Sequence, residues 1–176
     1  MFKDQLPINE YADFYARYIT ALENIELFDN LEIKQHEFIH FVQNVPLGKH
    51  DYRYAPGKWT LKDIIQHIID AERVFAYRAL RIGRGDQTAL PGYDENLFAE
   101  NTNANNRHLQ ELLTEFALVR QSTLALFKSF KPAQLQNVGT ASDKAVSVRA
   151  LGFIILGHQQ HHINVFKERY LDENPS

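Results

Sequence analysis

Cysteine is absent from all 176 residues, which excludes a disulfide framework, a thiolate nucleophile on the protein and any metal site built on thiolates. A bound metal would have to be held by His, Asp or Glu. Positive charge is not in excess either. A formal charge of −3 leaves no basic footprint for a phosphate backbone, so nucleic acid is not expected as a partner. No stretch approaches the ~18 consecutive apolar residues of a membrane span, and Met1-Phe2-Lys3-Asp4-Gln5-Leu6-Pro7 lacks the apolar run of a signal peptide. The chain therefore reads as cytoplasmic, without a membrane partner. Internal repeats, low-complexity tracts and alternating strands of convincing length are also missing.

Helical periodicity is what the sequence does contain, within an ordinary globular composition of 44% hydrophobic and 23% charged residues. The length fits one domain over residues 1–176, able to bury roughly two-thirds of its unfolded surface. Tyr11, Phe14, Tyr15, Tyr18, Ile19 and Leu22 recur with helical spacing. The pattern resumes through Leu31, Ile39, Val42 and Val45 until Pro46, as one long helix or two collinear pieces. After a loop to Gly57, Thr60 and Asp63 form a capping-box start for a second helix ending near Gly83-Arg84-Gly85. A long connection from Asp86 to Thr102 follows, of the kind that often carries function. A third helix runs from Leu109 to Phe130 and stops at Lys131-Pro132. Gly139-Thr140-Ala141-Ser142-Asp143 reads as a loop, Val146-Ser147-Val148 as a helix entry, and Ser147 as the cap of a fourth helix. Four amphipathic helices most simply pack as an all-α bundle.

Three of the eight histidines fall within five residues of this last helix, in Gly157-His158-Gln159-Gln160-His161-His162. His158 and His162 are four apart, hence neighbours on one helical face, and both lie in the apolar stripe. His67 passes the same test on the second helix, three residues after Ile64 and four before Ala71. A single core histidine is commonly satisfied by a carbonyl or carboxylate. Three close together would leave several nitrogens in need of partners, which one divalent ion supplies. His67, His158 and His162 are thus the candidate ligands, with coordination positions left open as in a catalytic site. His161 takes a supporting or entrance role. Three imidazoles suit Zn or Ni first, with Fe, Co or Mn as further candidates.

His36-Glu37-Phe38-Ile39-His40 matches the zinc-protease pattern His-Glu-x-x-His. The extended metzincin form fails because Gln43 and Pro46 stand where Gly and His are needed, and an exposed helix face is the preferred explanation. A zincin with Glu72 as third ligand is the remaining form of that reading. His50 and His108 read as surface residues, while Asp70 and Glu72 could orient an imidazole or carry protons, although helix-surface salt bridges with Arg73 or Arg78 explain them equally well. Arg78, Arg81, Arg84 and Arg107 could meet an anionic substrate, although paired or solvated arginines are commoner.

Gly57-Lys58-Trp59-Thr60 leading into Asp63-Ile64-Ile65-Gln66-His67-Ile68-Ile69-Asp70-Ala71-Glu72-Arg73, then Gly157-His158-Gln159-Gln160-His161-His162 and Glu168-Arg169-Tyr170, resembles the DinB/YfiT-like superfamily over nearly the whole chain. Phe75-Ala76-Tyr77-Arg78-Ala79-Leu80-Arg81 and Leu90-Pro91-Gly92-Tyr93-Asp94-Glu95-Asn96 look like one of its bacterial subfamilies. The resemblance implies an up-down-down-up four-helix bundle and a three-histidine divalent site at His67, His158 and His162. It also implies a small-molecule substrate, thiol-dependent transfer among the known activities, and a homodimer. Two function classes follow. One is a metal-dependent enzyme that activates a low-molecular-weight thiol cosubstrate (S-transferase type) or water (hydrolase type). The other is a non-catalytic, metal-binding or stress-associated bundle protein. Accessibility of the site separates them.

Overall fold

A computed structural model describes residues 1–171, so the last five residues of the expected 1–176 span lie outside the described residues. In chain order the elements are α1 (Asp13–Thr20), α2 (Leu27–Gln43), α3 (Leu61–Gly83), α4 (Glu95–Glu100), α5 (Leu109–Lys128), α6 (Pro132–Leu135), β1 (Val138–Ala141), β2 (Lys144–Ser147) and α7 (Val148–Val165), with a π-helical turn at Phe166–Tyr170. The helix starts follow from side-chain chemistry. Thr60 Oγ1 accepts from the Asp63 N–H at 3.1 Å and the Asp63 carboxylate accepts from the Thr60 N–H at 3.0 Å, which satisfies two donors at the head of α3. Ser147 Oγ accepts from the Ala150 N–H at 3.0 Å to open α7.

The directions of the four long helices can be read from their contacts. Lys62 reaches the Asn105 carbonyl, Arg73 reaches Glu115, and Gly83 abuts Phe130, so α3 and α5 run side by side in the same direction. Leu27 and Phe127 both crowd Gly152, Arg120 reaches the Leu31 carbonyl, and Phe38 packs on Phe116. Hence α2 is antiparallel to α5. Gln159 donates to the Lys34 carbonyl and Phe41 stacks on Phe166, which makes α7 parallel to α2. The result is an up-down-down-up four-helix bundle.

The core is divided rather than continuous. One apolar cluster includes Leu31, Ala71, Phe127 and Leu156, and the other includes Phe38, Ile69, Phe116 and Ile163. On every long helix the division falls at the level of a buried polar layer formed by Glu72, Arg120, Gln159 and the histidines. Polar groups at that depth are tolerated only when they satisfy one another.

Of two expectations from the sequence, one is narrowed to its two-piece form and the other needs correction. The first helical region is interrupted at residues 21–26, and the resulting α1 packs on α7. This contact is very close: a Cβ built on Gly157 would lie 2.1 Å from the Tyr18 carbonyl oxygen. Secondly, residues 138–147 form an antiparallel hairpin, pairing Val138 with Ser147 and Ala141 with Lys144, in place of a loop and a helix entry. Its two-residue turn places Ser142 (φ 51°) and Asp143 (φ 59°) in the left-handed region. Asn-Gly is the usual signal for such a turn, and Ser-Asp lacks it. The connection after α3 adds a bridge from Leu90 to Ala141 and the short α4, so it too is partly ordered.

Candidate metal centre

The bundle brings His67, His158 and His162 together. His67 lies in the second turn of α3, and His158 and His162 are stacked one turn apart on α7, all three on core-facing positions. Their candidate ligand nitrogens all lie within 4.8 Å of one another. His67 Nε2 is 3.0 Å from His158 Nε2, which is 3.2 Å from His162 Nε2. One imidazole nitrogen carries either a single proton or a single lone pair. His158 Nε2 therefore cannot form two good hydrogen bonds at once, and the trio is poorly satisfied by mutual hydrogen bonding. Three ligands at ~2.0–2.1 Å around a tetrahedral ion sit ~3.3 Å apart, and cis ligands of an octahedron ~2.9 Å apart. The two measured edges fall between these values. His162 Nδ1 is also buried without a hydrogen-bond partner. The three imidazoles thus form a donor set that could hold a divalent ion, with His158 Nε2 at its centre.

Burial controls the charge of the trio. It lowers the His67 pKa from 6.5 to about 4, helped by the nearby His161. It holds His158 and His162 well below 6.5, with mutual repulsion among the imidazoles adding to the effect. Neutral imidazoles are the form a metal requires. Aromatic walls fix the rings: the Trp59 ring centre is 4.8 Å from that of His67, and Tyr18 meets His158 edge-on at 5.3 Å. His161 stands outside the trio, half-buried beside Tyr18 at 5.6 Å. Its pKa is lowered by burial and then by Arg17.

A cross-tie lies beside the trio. The Arg120 guanidinium, fully buried in α5, donates from Nε and Nη2 to the two oxygens of Glu72, each at 2.8 Å. Nη2 also donates to Gln159 Oε1 at 2.8 Å, and Gln159 Nε2 donates to the Lys34 carbonyl at 2.9 Å. Glu72 is therefore a buried partner of Arg120, which corrects its expected surface pairing with Arg73 or Arg78. Five residues after His67 on α3 and one after His158 on α7, Glu72 and Gln159 tie the two helices that carry the trio in fixed phase. The sequence reading overlooked Arg120 and Gln159. The signal was present, because Arg120 is four residues after Phe116 and seven before Phe127, and Gln159 is four after Ile155.

Other candidates resolve simply. His36, Glu37 and His40 are exposed, with Glu37 paired to Lys34 at 3.2 Å, and no second group of three potential ligands occurs among the described residues. His50 Nε2 lies 3.1 Å from the Val45 carbonyl, and His108 is exposed at the head of α5. Arg81 pairs with Asp86, Arg107 with Glu115, and Arg84 with the Ser129 hydroxyl.

Two openings reach the trio. A cavity of about 820 Å³ has His158 on its wall together with Tyr15, Tyr18, Phe75, Arg78 and Tyr93. A smaller one of about 240 Å³ touches His162 and is bounded by Tyr54, Lys58, Trp59, Asn96 and Tyr170.

A cluster of three buried histidines inside an up-down-down-up four-helix bundle is the combination that defines the class. The chain belongs to the DinB superfamily, whose model matches residues 30–166. Among solved structures it is similar to YfiT from Bacillus subtilis, with a TM-score of 0.75 and 17% identity, covering 88% of this chain and 93% of that one. That protein is described as "a probable metal-dependent hydrolase with an unusual four-helix bundle topology". At this identity the likeness establishes the fold. A search of curated proteins returns no match. No helix among the described residues is long and apolar enough to cross a membrane.

Proposed function

We propose that this protein is a divalent-metal enzyme that activates a small nucleophile against an organic molecule held in the larger cavity. The observation that carries this reading is the position of His158, which belongs to the three-nitrogen cluster and also to the wall of a cavity of about 820 Å³. The non-catalytic alternative expects a site too enclosed to admit a substrate, whereas this opening is of the size that accepts a small organic ligand. His67, His158 and His162 would hold the ion, and the chain would be active as its single 1–176 domain. Bound there, the ion supplies the acidity that makes water or a thiol nucleophilic near neutral pH.

The protein's own contribution is arrangement. Burial keeps the three imidazoles neutral, Trp59 and Tyr18 restrict their rotation, and the Glu72–Arg120–Gln159 cross-tie fixes the spacing of their helices. Phe75, Tyr15 and Tyr18 give the substrate an apolar bed. The description of YfiT favours water as the nucleophile. The second opening at His162 favours a separate reactant, which in a chain without cysteine would be a small thiol. Metal content of tag-free protein, followed by an ester and amide panel with and without low-molecular-weight thiols, tests both. Metal-dependent turnover without thiol selects hydrolysis, and turnover only with thiol selects transfer. Stoichiometric metal in His67→Ala, His158→Ala and His162→Ala alike rejects the site.

A further inference from the structure

Arg78 is 3% exposed, yet no carboxylate among the described residues pairs with it. Its Nη2 donates to the Pro91 carbonyl at 2.9 Å and to Ser142 Oγ at 2.8 Å, and its Nη1 to Tyr15 Oη at 3.4 Å. All three acceptors are neutral. A guanidinium taken out of water loses several kcal/mol of hydration, and neutral acceptors return less of it than an anion does. Among the described residues the only other arginine this deeply buried, Arg120, is matched by Glu72 in bidentate geometry. The contrast marks Arg78 as a charge held in readiness.

Arg78 lines the same cavity as His158. It follows His67 by eleven residues, so it lies ~16 Å further along α3 and within ~20° of the same face. Between them the wall is aromatic. Phe75 is edge-on to His158 at 6.0 Å and to Tyr15 at 6.2 Å, and the Arg78 guanidinium lies 6.0 Å from the Phe75 ring centre. The remaining charges on the wall are Lys144, Asp94 and Glu95. Asp94 Oδ1 accepts from the Asn96 and Leu97 N–H groups at 2.9 and 3.1 Å in capping α4, and this carboxylate is exposed, so water screens its charge as it does not screen that of buried Arg78. Lys144 and Glu95 are both exposed, and one offsets the other.

We propose that this cavity binds an organic carboxylate with an apolar, ring-sized body, its carboxylate docked on Arg78 and its opposite end presented to the histidine trio. The proposal rests on the metal-enzyme reading for where the chemistry occurs, and on Arg78 alone for how the anion is held. Arg78 is then a specificity-determining residue, and the hairpin turn that supplies Ser142 is part of its mounting.

The test is calorimetry with 4-phenylbutanoate, its neutral amide and the matching 4-phenylbutylamine, on protein as purified and after treatment with EDTA. The carboxylate should bind at least ~10-fold more tightly than the amide in both preparations, the difference expected for a charge-assisted hydrogen bond. That preference should vanish in Arg78→Gln and persist in Lys144→Gln. If Arg78→Gln does not fold, the wild-type ratio and the Lys144→Gln variant still decide the matter. Equal binding of the amide, tighter binding of the amine, or loss of the preference in Lys144→Gln would overturn the proposal. So would a preference that needs the metal and survives in Arg78→Gln, because the carboxylate would then sit on the ion. Purification without metal would count against the proposed function and leave the EDTA arm of this test intact.

Discussion

Lowering the pH of the metal-free protein from 7 to 5 should destabilise it through the buried histidines. His67 titrates near 6.5 when unfolded and near about 4 when folded. The folded form therefore binds fewer protons throughout that interval, and the stability His67 contributes is full above 6.5 and drains away as pH falls towards 4. At pH 5 the loss from His67 alone is about 2 kcal/mol. His158 and His162 are shifted in the same direction by the same burial, so they add to it. The carboxylates with lowered pKa values, Glu10, Glu26, Asp86 and Glu115, lose their ion pairs below about 4.5, outside this interval. Urea unfolding of EDTA-treated protein at pH 7, 6 and 5 is the assay. With a slope of roughly 2 kcal/mol per molar urea, the midpoint should fall by about 1 M or more, and by less in His67→Gln. An unchanged midpoint between pH 7 and 5 would refute the view that the trio is held neutral by burial.

Replacing Arg120 with Met should cost roughly 3–5 kcal/mol, because it strands the buried Glu72 carboxylate, and thermal unfolding at pH 7 would show whether that cost is paid. Gly157→Ala should destabilise by roughly 1–3 kcal/mol through overpacking against the Tyr18 backbone, and metal affinity should fall with it as the Tyr18 ring leaves His158; chemical denaturation and metal titration read the two effects. Asp143→Gly should stabilise the protein by roughly 0.5–1 kcal/mol by relieving a left-handed non-glycine residue in the hairpin turn, and an unchanged or lower unfolding midpoint would contradict this. His36→Ala with His40→Ala should leave metal content unchanged, since both side chains are exposed away from the trio; elemental analysis checks it.

The helical frame was legible because its punctuation is local. Thr60 with Asp63, Gly83 to Gly85 and Lys131-Pro132 each act within a few residues of themselves. The phase of His67, His158 and His162 was legible for the same reason, since a helix of fixed pitch assigns each residue a face. Partners across the bundle were less accessible. Glu72 lies four residues after Ile68 and three before Phe75, as core-directed as His67, but a nearby arginine on its own helix offered an easier partner than Arg120, 48 positions away. The hairpin escaped because strands of four residues give too few alternations to stand out. Its turn also uses Ser142 and Asp143, residues that tolerate a left-handed backbone without announcing it. Arg78 was one arginine among four until the fold showed that Arg81 and Arg107 meet acids, Arg84 lies exposed, and Arg78 faces a cavity.

The cross-tie between Glu72, Arg120 and Gln159 has a bearing on how such a protein is made and maintained. Its bonds are independent of any ion, and they reach all four long helices through the Leu31 and Lys34 carbonyls. On the proposed metal reading, the bundle can therefore close before any ion arrives, with the three nitrogens already converged.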